Sequence, residues 1–213
     1  MMGRYSHLIS SLKRLRFSHV EKRDLLKSWF VVSLAFSLAI GGFGTLNIKF
    51  ALLILVAAIT VGMGFLLHEL GHKAVAVHYG LWAEYRSFDN MLLLSLVMGL
   101  FGFVFAAPGA VFISGTTPEN WYIPVGRNGK ISVAGPLVNY VLALGFIGLA
   151  LLVPYLSTIA LFGAQINAWL GLFNMIPFLN FDGSKIWPWN KAVYVGMLLV
   201  GAGLMVGVSR LGM

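Results

Sequence analysis

The sequence predicts an all-α polytopic membrane protein: five to six transmembrane helices, with a re-entrant or β-containing segment among them. Three observations carry that prediction. Of 213 residues, 59% are hydrophobic and only 10% charged, a mixture too apolar for a chain whose whole surface must face water. The apolar residues gather in segments at about 29–44, 50–79, 91–113, 131–153, 157–177 and 192–209, most of them near the ~20 residues that a helix needs to cross a bilayer. One of them, 91–113, is interrupted by Gly99, Gly102, Pro108 and Gly109, and non-helical backbone at membrane depth is tolerated only against protein or a wet cavity.

Residues 1–28 form a basic tail ahead of the first apolar segment. Arg4, Lys13, Arg14, Arg16, Lys22, Arg23 and Lys27 lie there, out of 15 Lys and Arg in a chain of net charge +8. Beside an apolar span such a cluster reads as a cytoplasmic juxtamembrane anchor facing the lipid bilayer, and no nucleic-acid partner is expected. The tail is too polar for a secretory signal peptide and has no small-residue cleavage site. Residues 29–213 are expected to form a single membrane-embedded domain, because no polar block is long enough for a soluble one. The chain has no cysteine, which excludes disulfides, thiolate catalysis and cysteine-ligated metal. A bound metal must therefore use His, Asp or Glu.

Segment 50–79 carries the polar string "HELGHK" where lipid disfavours it. His68 and His72 are four apart, so on a helix both imidazoles share a face and can grip one divalent ion. Glu69, one residue round, can reach a water on that ion without ligating it, the general-base position of the H-E-x-x-H pattern. With the tail inside, the helix runs inward and His68 lies roughly 16 Å below the cytoplasmic end. Each ionisable group near mid-membrane costs about 2.5–3.5 kcal/mol, so such a cluster points to function. The bland alternative has both histidines neutral and bonded to neighbouring helices, with Glu69 paired to Lys73.

A catalytic zinc usually takes three protein ligands. His78 has the right offset for an extended zinc string, but Val75 stands where that string needs glycine, and on a continuous helix His78 lies about 120° round from His72. Later acids are Glu84, Asp89, Glu119 and Asp182. The first three sit in polar loop sequence. Asp182 ends an apolar segment, in "NMIPFLNFDG", where Asn174, Pro177 and Gly183 imply a broken helix and a tight turn; by itself it also reads as a turn-forming Asp-Gly at the membrane surface.

"HELGH" on an early helix, "AGPLVN" on a later one and "NMIPFLNFDG" after the next resemble the site-2 proteases, intramembrane zinc metalloproteases. The resemblance covers about 50–186, taken as the catalytic core. It implies one zinc ion per chain, His68 and His72 as ligands, Asp182 in the third-ligand position, Glu69 as catalytic base, and a membrane-spanning protein or peptide as substrate. Gly135, Pro136 and Asn139 fall on a G-P-x-x-N pattern, and Asn174, Pro177 and Gly183 on N-x-x-P-x-x-x-x-D-G. Asn174 and Asn139 are candidates for holding the oxyanion or substrate backbone, or are buried amides bonding between helices. The chain departs from the family at Asn180, Ser184 and Lys185, positions tied to substrate handling rather than metal binding. It has no room for PDZ or CBS modules.

Three shared ligands require their segments to meet on one side of the membrane. Segment 91–113 is therefore expected to dip in and return, turning near Gly99 or Gly102, or to end as strand at "GAVFISG". Lys49 and Arg210 then remain as the basic residues outside. Strand near the ion would let an extended substrate add to its edge. A cation or proton carrier would show repeats and a polar path across the membrane, and neither is found. An inactive, binding-only homologue fits poorly with an intact Glu69. Prenyl-protein-protease or heat-shock-type membrane peptidases would need a later glutamate ligand, and none follows Glu119.

Overall fold

The computed structural model describes residues 15–42, 48–104, 107–117 and 121–212. Residues 1–14 of the basic tail and Glu119 lie outside them. The chain forms α1 (His19–Gly41), α2 (Ile48–His78), β1 (Trp82–Ser87), α3 (Asp89–Leu100), β2 (Gly109–Ser114), α4 (Val125–Leu152), α5 (Ser157–Phe173), α6 (Gly183–Trp189) and α7 (Lys191–Leu211). Five helices, α1, α2, α4, α7 and α5 with the short turn before it, are long and apolar enough to cross a membrane. This is the polytopic architecture expected, and its β-containing segment is a small two-stranded sheet.

Helix α1 starts well before the apolar run, inside the segment expected to be tail. Ser18 caps it by accepting from the Glu21 N–H at 3.1 Å, which satisfies one of the orphan donors of the first turn. Glu21, Asp24 and Ser28 of its first turns are buried, and each has a polar partner from β1. Those partners, invisible to a hydropathy reading, are why polar sequence continues the helix.

Helix α2 contains a wide turn of π geometry at Ala58–Gly62. An extra residue in one turn breaks the regular backbone ladder, and side chains from other helices bond to the carbonyls there: Trp29 Nε1 donates to Ala58 O at 3.0 Å and Asn167 Nδ2 to Thr60 O at 3.4 Å. The helix ends as expected at Gly80, whose φ of +73° suits glycine. Leu81 N–H then donates back to Ala76 O at 3.1 Å.

Among the described residues, segment 91–113 contains no helix long enough to cross a membrane. At 12 residues, α3 is about 18 Å long, short of the ~30 Å hydrocarbon core. Gly102 takes a φ of +86° just past the helix, and by Pro108, whose carbonyl accepts the Phe88 N–H at 2.9 Å, the chain is back beside the start of α3, continuing as β2 at the expected "GAVFIS". Gly99 has a different role: a Cβ there would lie 2.6 Å from Ala35 O, so it lets α3 pack closely on α1. Strand β1 corrects the loop reading of "LWAEYRS". It pairs antiparallel with β2, Trp82 opposite Ser114 through Ser87 opposite Gly109, and its Glu84 is buried. Burial alone would raise the Glu84 pKa, but hydrogen bonds from Arg86 and Ser18 outweigh it and hold the carboxyl below the usual range. Asp89 is exposed, as expected, but it opens α3 rather than lying in a loop and pairs with Lys27 at 2.5 Å.

The helices meet through small residues. Ala143 of α4 and Ala160, Ala164 and Ala168 of α5 are fully enclosed, consistent with close backbone approach rather than side-chain bulk holding membrane helices together.

Candidate metal centre

Three elements build the site. The spacing of His68 and His72 on α2 brings their Nε2 atoms to 3.0 Å from each other. Helix α4 then fixes which nitrogen each ring presents. His68 Nδ1 lies 2.6 Å from Asn139 Oδ1 and His72 Nδ1 lies 2.8 Å from Ile131 O. Both partners accept, so each Nδ1 carries the proton and each Nε2 keeps a free lone pair. The orientation of Asn139 is set independently, because its Nδ2 donates to Gly64 O and to Asn167 Oδ1, both at 3.1 Å. Asn139 and Asn167 are fully buried. Asn139 thus makes the interhelical bonds that were one of its two expected roles.

Gly135 explains the start of the G-P-x-x-N pattern. A Cβ at this position would run into His68 Nε2 and His72 Nε2, so only glycine lets the α4 backbone pass the imidazole pair. Pro136, next along, lies inside α4 and has no N–H to give to the preceding turn.

The third element is the turn after α5. Asn174 terminates that helix, and its carbonyl accepts the Gly183 N–H at 2.8 Å, closing a loop through Pro177 and Leu179. Leu179 takes a left-handed φ of +55°. Gly183 is required here for space rather than for its own dihedral: a Cβ would strike the Met175 carbonyl. This closure aims Asp182 back at α2. Its Oδ2 lies 3.2 Å from His68 Nε2 and 3.2 Å from His72 Nε2.

Among the described residues, His68, His72 and Asp182 are the group whose ligand atoms converge as a metal site requires. All three are buried, and Asp182 Oδ2 has no hydrogen-bond donor there. Two lone pairs and a carboxylate oxygen at such separations repel one another unless a proton or a metal ion lies between them. The spacings of 3.0 and 3.2 Å sit close to the ~3.3 Å expected between donors on a tetrahedral ion with bonds of about 2.0–2.1 Å. The donor set of two imidazoles and one carboxylate is of the kind zinc takes when one position stays open.

Glu69 is half-buried and within electrostatic reach of His68, His72, Asp182 and Lys185. It is not bound to Lys73, because that lysine pairs with Glu21 at 2.5 Å; this removes the Glu69–Lys73 half of the bland alternative, while the bonds of both histidines to α4 match its other half. Asn174 is half-buried, and its Nδ2 gives one bond to Leu170 O at 2.8 Å. His78 is exposed at the end of α2 and stacks edge-to-face on Tyr79; it does not join the cluster. Sequence reasoning missed Asn167 and the Ile131 carbonyl. Asn167, a lone amide in the apolar run 157–177, carried a usable signal, since polar groups inside membrane helices tend to bond across them. A backbone carbonyl carries none.

A protein of Methanocaldococcus jannaschii named provisionally as a zinc metalloprotease is 40% identical over 195 residues, covering 87% of this chain and 94% of that protein. A second protein of the same organism, named a zinc metalloprotease, is 31% identical over 132 residues, 56% of this chain and 30% of its own length. No family model and no solved structure matches the chain.

Proposed function

This chain belongs to the zinc metalloproteases, and we propose that it is one of the site-2 protease type, an endopeptidase that hydrolyses peptide bonds in or near membrane-spanning segments of other proteins. The observation that supports this most is the convergence of His68, His72 and Asp182 inside a chain with five helices of membrane-crossing length. Those three residues would hold one zinc ion. When bound, zinc supplies Lewis acidity, polarising the scissile carbonyl and bringing the pKa of water towards about 7.

The chain's own groups do the rest. Glu69 takes the proton of the attacking water and delivers it to the leaving amine. Asn139 and Ile131 O keep both imidazoles in the ligating tautomer. An Asn side chain has two amide protons, so Asn174 retains one beyond its bond to Leu170 and offers it to the substrate backbone. A substrate helix must unwind before hydrolysis, and the sheet offers extended backbone to receive it. The basic residues favour an N-terminus and site mouth on the cytoplasmic side of the cell membrane.

The test uses wild type, Glu69→Ala and Asp182→Ala in detergent with a membrane-spanning peptide, zinc content being measured alongside. Glu69→Ala keeps zinc and loses cleavage; Asp182→Ala loses both. A Glu69→Ala protein that still cleaves sinks the mechanism. Zinc-independent ion flux surviving that substitution supports a carrier instead.

A further inference from the structure

The outer edge of β1 is closed by a helix. In the β1–β2 register Glu84 faces Phe112 and Arg86 faces Ala110, while the alternate N–H groups point the other way, into α1. Tyr85 N–H donates to Glu21 Oε1 at 3.1 Å and Ser87 N–H to Asp24 Oδ2 at 3.3 Å. Two carboxylates one helical turn apart stand in for the carbonyls of a neighbouring strand. A peptide joining the sheet is thereby left the far edge, β2, whose Val111 and Ile113 face away from β1 by the same alternation.

Glu21 has a second connection. Lys73 Nζ binds both of its oxygens, at 2.6 and 2.5 Å, and also donates to Arg16 O at 2.8 Å. Glu21 is 0% and Lys73 2% exposed. Lys73 directly follows His72, so one buried carboxylate ties the metal-bearing helix to the strand edge. A buried ion pair contributes little net stability compared with an apolar pair of similar volume, so stability alone is a weak reason for one here. We propose that Glu21 and Lys73 are positioning residues: they fix the reach between the sheet and the His68–His72–Asp182 centre, and so select which bond of an extended peptide meets that centre.

The bond-selecting part rests on the proposed peptidase reading; the tie itself does not, and two measurements separate them. The variants are Glu21→Leu/Lys73→Met, which leaves no lone buried charge and no acceptor for the Tyr85 N–H, and Glu21→Asp, which keeps the charge on a shorter arm should the first fail to fold. Hydrogen exchange on the full chain in detergent is expected to show the Tyr85 amide exchanging about tenfold faster or more, the scale of one lost bond to a charged acceptor. Glu84 and Arg86 amides, paired to β2, stay protected. Unchanged Tyr85 exchange overturns the tie.

Mass analysis of the cut peptide is the second readout. With zinc content as in wild type, kcat falls about tenfold to a hundredfold, the scale of a small misplacement of reacting groups, and cuts spread to neighbouring bonds. A purely structural pair would lower the active fraction without moving the cut. Wild-type kcat at the single wild-type bond overturns the positioning role. Wild type that binds zinc yet cuts no membrane-spanning peptide sinks the peptidase reading and leaves the exchange result to decide the tie.

Discussion

Asn139 Oδ1 lies 2.6 Å from His68 Nδ1, and that contact settles which face of the imidazole is free to bind. Partners of this kind typically govern metal affinity by about 10- to 100-fold. Asn139→Leu is therefore expected to weaken zinc binding by that factor while Glu69 stays intact. Zinc titration against a competing chelator measures it; unchanged affinity removes Asn139 from the site.

Gly135 separates metal loss from unfolding. Alanine favours a helix over glycine by about 1 kcal/mol, so Gly135→Ala does not weaken α4 as a helix. Its Cβ collides with both Nε2 atoms. The expected outcome is zinc content far below one per chain, in a protein whose helical circular dichroism is preserved. Full zinc occupancy in this variant contradicts the packing described.

Metal removal should cost stability. A ligand at 100 times its Kd stabilises the folded state by about 2.7 kcal/mol, and without a cation Asp182 Oδ2 faces two lone pairs with no donor. Chelation lowers the thermal midpoint of wild type and moves that of Asp182→Ala much less. Equal shifts in both proteins would mean that the stabilising metal sits elsewhere.

Asn167 joins the wide turn of α2 to Asn139, bonding Thr60 O and Asn139 Nδ2. Asn167→Leu removes one bond from each, while Met63 N–H still reaches Thr60 O and Gly64 O still accepts from Asn139 Nδ2, a loss of about 0.5–1.5 kcal/mol per bond. A lower thermal midpoint together with weaker zinc binding is expected. A midpoint drop with unchanged zinc affinity would show that the turn and the metal site are independent.

Glu84 gives a pH signature outside the membrane spans. Its folded pKa is depressed by Arg86 and Ser18 against the opposing effect of burial, so its contribution is fully present above the unfolded value of about 4.3 and is lost as pH falls through the folded value. Wild type is expected to exceed Glu84→Gln in thermal midpoint at pH 7, and the gap narrows as pH drops below the ordinary carboxylate range. A gap that widens on acidification reverses the sign and the assignment.

Sequence alone determined whatever depends on composition or on spacing along one helix. A surface that apolar cannot face water, so the membrane class follows. His68 and His72 share a helical face, with Glu69 one residue round, because 3.6 residues make a turn whatever surrounds it, and Pro177 together with Gly183 marks a break after the apolar run. Tertiary structure decided the rest. Asp182 reads equally well as a surface turn until Gly183 closes against Met175 and swings the carboxylate onto α2. Asn139 has two plausible uses until α4 packs beside His68. Lys73 has an adjacent acid at helical spacing, yet it bonds to Glu21, and β1 forms from polar sequence because β2 and the acids of α1 satisfy its backbone. Each of these outcomes joins groups far apart in the chain. Such partners are chosen by how helices pack and which buried polar atoms then need satisfying, and no local periodicity records that choice.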